Sequence, residues 1–152
     1  FDAPKAKLLK TEQPPESEID FNKEYRGVAG VKVAWRDWTE KDGLYVDFIK
    51  AFDPDSVGIA YGLCYIQSPN EFSTQLGIGS NDGVRVYLND KLVHENIVLR
   101  KATPNTDMVN VTLKKGWNKV LVKVDQIGGG WGLYLSIIDP EQKLLFSTEK
   151  PE

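Results

Sequence analysis

Alternation with a period of two residues constrains this chain more than any other feature. In WNKVLVKVDQ (117–126), Val120, Val122 and Val124 fall on one side, and Lys119 and Lys123 on the other. Only an extended strand sends successive side chains to opposite faces, so the pattern predicts a strand with an apolar inner face and a solvated outer one. The same period recurs in VKVAWRDW (31–38), LYVDFI (44–49), VGIAYGLCYI (57–66), FSTQLGIG (72–79), GVRVYL (83–88), KLVHE (91–95), MVNVTL (108–113) and WGLYLSIID (131–139). KLLFS (143–147) is a candidate edge strand, and polar turns such as TEKDG (39–43), FDPDS (52–56) and SNDG (80–83) separate the runs. Roughly eight or nine short strands with turn residues between them predict an all-β fold, a sandwich or barrel, with helix limited to about one turn.

Two local features refine this. VGIAYGLCYI places large residues at odd positions (Val57, Ile59, Tyr61, Leu63, Tyr65) and small ones at even positions (Gly58, Ala60, Gly62, Cys64). Such a strand is covered on both faces, and its small face suits close packing of another layer better than a ligand. Asn89-Asp90 is a two-residue hairpin loop, since Asn and Asp are the non-glycine residues that best accept positive φ.

The strand-rich region occupies residues 28–152, and residues 1–27, rich in Pro, Lys and Glu, read as linker and lead-in segment. The start at Phe1 rather than Met reads as a piece of something larger. At 152 residues and 41% hydrophobic the chain can build one core. The net charge of −3, with Lys and Arg scattered singly apart from the pairs Arg100-Lys101 and Lys114-Lys115, argues against a nucleic-acid partner. No apolar run approaches the roughly 18–20 residues needed to cross a bilayer, so no membrane insertion is expected. Cys64 is the lone cysteine and His94 the lone histidine. The thiol reads as a small buried group and the imidazole as structural, which leaves no Ser-His-Asp or Cys-His arrangement and predicts a non-enzyme. Arg100 and Asp107 bracket the loop KATPNT and are expected to pair, closing it.

LGIGSNDGVRVYLNDKLVHE and VTLKKGWNKVLVKVDQIGGGWGLYLSI together resemble the galactose-binding-domain-like β-sandwich modules of large secreted bacterial proteins, also found beside glycoside hydrolases. The matching pieces are Gly79 to Gly83, Asn89-Asp90, Lys115 to Asn118, Leu121 to Val124 and Gly128 to Leu133, within residues 57–139. Asn81 stands where the family's turn carries its first Asp, and Asp90 where its hairpin carries Gly. The resemblance implies an antiparallel jelly-roll sandwich and carbohydrate binding. Related sugar-binding sandwiches use an acidic turn for calcium, and Asn81 removes one carboxylate from such a set.

Sugar binding needs aromatic faces for pyranose C–H surfaces and polar side chains for hydroxyls. The candidates are Trp131, which follows three glycines, Trp35 and Trp38 on opposite faces of their strand, and Asp82, Asn81 and Arg85. A cleft is expected where the Ser80–Gly83 turn, the Asn96–Thr106 loop and the glycine run meet at the sandwich end, with Trp131 stacking and Asp82 and Arg85 holding hydroxyls. Asp82, Asp53 and Asp55 are candidate oxygen ligands for a structural Ca2+. The expected function is a non-catalytic carbohydrate-binding module that carries a larger extracellular or cell-surface bacterial protein to a polysaccharide or oligosaccharide. The alternative is a sandwich that spaces or docks neighbouring domains without binding sugar.

Overall fold

The alternating runs become two antiparallel sheets that close on one core. The computed structural model describes residues 7–27, 30–38, 44–52 and 58–152. Within these, helices α1 (Lys7–Lys10) and α2 (Pro14–Ser17) precede strands β1 (Glu24–Arg26), β2 (Lys32–Ala34) and β3 (Tyr45–Asp47). Helix α3 (Phe48–Phe52) and strands β4 (Gly58–Ser68), β5 (Phe72–Asn81), β6 (Val84–Leu88) and β7 (Lys91–Asn96) follow. The chain continues through β8 (Asp107–Leu113), β9 (Gly116–Gln126), β10 (Gly132–Ile137) and β11 (Leu145–Ser147). One sheet has the order β3-β10-β5-β8 and the other β11-β4-β9-β6-β7, while β1 and β2 form a separate hairpin. The fold is an all-β antiparallel sandwich. None of the described helices is long and apolar enough to cross a membrane.

The core is what alternation demands. Val84, Val86 and Leu88 of β6 and Val120, Val122 and Val124 of β9 face Leu76 and Ile78 of β5, Val109 and Val111 of β8, and Leu133 of β10. Each such side chain contributes about 1.5–3 kcal/mol by leaving water, which locks the register, because a one-residue slip would expose the whole set. The small residues of β4 pair with these valines (Gly62 with Val122, Ala60 with Val124, Cys64 with Val120), so their small faces point inward. A Cβ added to Gly62 would lie 3.7 Å from Leu133. Packing, not a ligand, explains the small positions.

The Asn89-Asp90 hairpin adopts φ of 50° and 68°, the primed turn expected of it. Asn89 also joins two strand ends, donating to Asn118 Oδ1 at 2.9 Å and accepting from the Lys119 amide at 2.9 Å.

Three expectations change. LYVDFI stops being a strand at Asp47, whose Oδ1 accepts the amides of Ile49 (3.0 Å) and Lys50 (3.2 Å) and so starts α3. An aspartate at a helix start outweighs alternation over six residues. Strand β2 ends at Ala34, so the opposite-face reading of Trp35 and Trp38 does not apply. Lys123 is not solvated: it is fully buried, because residues 7–18 cross the outer face of the five-stranded sheet as a strap, with Leu9 also buried. Alternation tells which face a side chain takes and nothing about what covers that face.

Candidate functional site

The three loops expected to form a cleft do converge, but they close on one another. Asp82 Oδ1 accepts the Arg100 amide at 3.1 Å and Oδ2 the Ile127 amide at 3.0 Å. Asn81 Nδ2, in the amide orientation its neighbours dictate, donates to Gly130 O at 2.8 Å and to Arg100 O at 3.1 Å. Arg100 forks onto Asp107 with two 2.8 Å bonds, as the loop-closing reading expects, and its Nε donates to Ser80 O at 3.0 Å. The Arg100 guanidinium holds the Asp107 carboxyl far below the usual carboxylate range, and His94 adds a 3.0 Å bond. The space that a ligand would need is filled by a polar plug.

The candidate side chains follow from that. Asp82, 2% exposed, and Asn81, also buried, bolt the loops together and are not open to a sugar. Gly130 lacks a side chain because the Asn81 side-chain amide stands 2.7 Å from where its Cβ would be. Trp131 is 4% exposed, packed on Phe48 (5.5 Å between ring centres) and Phe52 (5.8 Å), with Nε1 donating to Val124 O at 3.2 Å. It is a core residue, since its indole is the largest apolar group available to seal this end of the sandwich. Arg85 lies on the five-stranded sheet, paired with Glu95 at 2.5 Å. Trp35 and Trp38 are half-buried, Trp35 edge-on to Phe21 (6.2 Å) and Trp38 beneath Arg36 (5.9 Å).

Asp82 does not fit a calcium site. Each of its oxygens already accepts a backbone N–H, and the side chain is buried among the loops it joins rather than open toward other oxygen ligands. Among the described residues no group of three His, Cys, Asp or Glu side chains gathers. Asp53 and Asp55 lie outside the described residues.

A different surface has the chemistry sought. The outer face of the four-stranded sheet is built in rows by strand register: Tyr45, Tyr134 and Gly79; Ser136, Gly77 and Met108; Gln75 and Asn110; Ser73 and Thr112. Tyr45 and Tyr134 rest 4.9 Å apart at 40°, and a side chain on Gly132 would collide with the Tyr45 ring. Gln75 Nε2 donates to Asn110 Oδ1 at 3.0 Å, Ser73 and Thr112 share a 2.9 Å bond, and Ser136 Oγ donates to Asn105 Oδ1 at 2.6 Å. Gly77 admits that Asn105 side chain onto the sheet. An open groove of about 310 Å³ runs off the Gln75 end, lined by Phe72, Ile138 and Pro140 and at its far side by the charged Asp139, Glu141 and Lys143.

This face holds hydroxyls, amides and two aromatic rings. Asp47, at its margin, is spent capping α3. Burial, helped by Asp47, raises the Tyr45 phenol above its ordinary value. Neutral donors and acceptors beside aromatic faces suit an uncharged polyhydroxyl ligand. Sequence reasoning passed over these residues in favour of tryptophans. The available signal was the outward residues of three runs (Ser73 and Gln75, Asn110 and Thr112, Tyr134 and Ser136), all uncharged where WNKVLVKV turns two lysines outward.

No family model matches the chain, and no curated protein matches it. Among solved structures, an anti-sigma factor domain-containing protein aligns over 80% of this chain and 43% of its own, at 19% identity and a TM-score of 0.54. A β-glucosidase from Kluyveromyces marxianus in complex with glucose overlaps 57% of this chain at 16% identity (TM-score 0.45), and a GH31 α-xylosidase from Xanthomonas citri overlaps 81% at 13% (TM-score 0.44). The chain spans 11% and 12% of those two glycosidases, and less than half of the first protein. At such identities the likeness is one of fold alone: an all-β sandwich.

Proposed function

We propose that this domain is a non-catalytic glycan-binding module of the galactose-binding-domain-like kind, and that it binds neutral polysaccharide on the outer face of its four-stranded sheet. The supporting observation is the uncharged array around Tyr45 and Tyr134, continued by Gln75, Asn110 and Ser136 on adjacent strands. Rigid strands keep these groups in place, so little ordering cost falls on binding. The non-catalytic reading has separate support. His94 is tied to Asp107, burial pushes the Cys64 thiol up to about 11, and the buried Asp82 and Asp125 face no open space. In this reading the module belongs to a larger extracellular or cell-surface protein and holds it on its substrate.

The second reading, a sandwich that docks neighbouring domains, is favoured by one observation: Leu145 and Phe146 on edge strand β11 are each 60% exposed. Affinity electrophoresis in gels containing single neutral polysaccharides separates the two. The glycan reading expects retardation by at least one polymer, lost in Tyr134→Ala and Gln75→Ala and kept in Leu145→Lys. Absence of retardation across the panel, or retardation indifferent to Tyr134 and Gln75, overturns it.

A further inference from the structure

The opposite outer face carries a second site, and its occupant belongs to the chain itself. Glu16 Oε1 accepts from Tyr61 Oη at 2.6 Å and from Lys123 Nζ at 2.6 Å, and Oε2 accepts from Tyr87 Oη at 2.9 Å. Those three donors sit on β4, β9 and β6, neighbouring strands whose register aligns Tyr61 with Lys123 and Lys123 with Arg85. The receptor is therefore built on the three inner strands of the five-stranded sheet. Its occupant is not: the strap consists of two four-residue helices, far below the roughly 12–15 residues at which an isolated helix becomes stable.

The recognition is of a peptide. Lys123 Nζ also donates to the main-chain carbonyl of Thr11 at 2.6 Å, and Arg85 reaches the carbonyl of Lys10 at 3.5 Å. A carboxylate and two carbonyls of one peptide are thus held together, which a simple anion would not supply. Among the described residues, the cis occupant leaves one acceptor beside it unmatched. Leu9 and Asp125 Oδ1 both lie against Gly83, and Asp125 Oδ2, in a side chain 1% exposed, has no donor among the described residues. Leaving a buried acceptor unpaired is unfavourable, because nothing offsets the water it has lost. The buried Lys123–Glu16 pair adds little to offset that, since desolvating two charges cancels most of their attraction.

We propose that the Tyr61–Tyr87–Lys123 face is a docking site for an acidic segment of another polypeptide, which the strap fills in cis until a better-matched segment displaces it. The matched segment presents a carboxylate to Lys123 and a hydrogen-bond donor to Asp125, about 7 Å apart because the two residues are two positions apart on one strand. Its competitor is tethered, with an effective concentration in the millimolar range, so displacement favours a segment that is itself tethered nearby. This site is independent of the glycan-binding face.

The probe is a synthetic peptide of residues 7–18, added to the full chain and to a full-length Glu16→Gln variant. Saturable binding to the variant is expected, weaker by about tenfold or more when the peptide itself carries Glu16→Gln, because a charge-assisted bond is lost. Lys123→Met in the host should abolish it. Millimolar peptide should also reduce hydrogen-exchange protection of the wild-type strap amides. No saturable binding to the variant, or binding unchanged by Lys123→Met, overturns the proposal. If Glu16→Gln does not fold, the wild-type exchange experiment decides: lost strap protection supports the site, and unchanged protection overturns it.

Discussion

The two outer faces of this sandwich are written in the same alternating pattern and have opposite fates. On the five-stranded sheet the outward residues include Tyr61, Tyr87, Arg85, Lys123 and Asp125, and the strap lies over them. On the four-stranded sheet they are Tyr45, Tyr134, Gln75, Asn110 and Ser136; Thr103 and Asn105 cover Gly79 and Gly77, and the named side chains stay half-exposed or exposed. Charge goes with cover. A lysine and an aspartate tolerate burial only with partners, so the covered face spends its chemistry on intramolecular pairing. The neutral face leaves hydroxyls and amides that can exchange water for ligand at little cost. The lesson is that an outward-pointing residue is not yet a surface residue.

The largest test of this contrast removes the covered face's counter-charge. Glu16→Ala leaves Lys123 buried without a carboxylate and should cost about 3–5 kcal/mol in urea-induced unfolding. A loss under about 1 kcal/mol would mean that the strap does not cover Lys123 in solution, and the contrast collapses. Trp131→Ala empties the core between the two faces and should cost a similar 3–5 kcal/mol, read in the same experiment. A mild loss accompanied by weaker glycan binding would instead return the site to the loop end.

A smaller effect probes the covered face by pH. Burial, with the Asp82 charge close by, pushes Asp125 up to about 6, whereas in the unfolded chain it titrates near 4. The folded state therefore holds a proton that the unfolded state has released. Stability from this group is complete below about pH 4, falls as pH rises, and levels off above about 6, by up to roughly 3 kcal/mol. Glu16 works the other way. Burial raises its carboxyl, but hydrogen bonds from Lys123, Tyr61 and Tyr87 outweigh that and hold it below the ordinary range. Its contribution is present above the ordinary glutamate pKa and disappears on acidification. Melting temperature should thus be higher near pH 5 than at pH 7.5, and Asp125→Asn should remove most of the difference. An unchanged profile in that variant would show that Asp125 is solvated and the strap loose.

The smallest stability effects belong to the open face. Gln75→Ala and Asn110→Ala should change unfolding free energy by no more than about 0.5 kcal/mol, and Tyr134→Ala by about 1. If either amide variant costs several kcal/mol, the face is structural and the two sides differ less than their chemistry suggests.

Much of the architecture was legible beforehand because its signals are local. The Asn89-Asp90 turn needs only two residues that tolerate positive φ, and the inward valines of β6 and β9 need only a period of two. The site was harder. Trp131 after three glycines looked like an exposed platform, yet its neighbours Phe48 and Phe52 come from a helix more than seventy residues earlier, and no local pattern announces them. The uncharged outward residues of three separate runs were readable one run at a time; only register aligns them.

By itself, then, the sequence determined the strands, their inward faces and the tight turns, since these depend on dihedral preference and on burial at a fixed period. Which outward face stays open was decided by tertiary structure. Lys123 is buried because a segment over a hundred residues away lays Glu16 and Thr11 on it. Asp82 is a bolt because Arg100 and Ile127, from two other loops, turn their amides to its oxygens. Contacts between residues so far apart in the chain depend on the distances the fold sets, and side-chain chemistry read along a strand carries no information about distance.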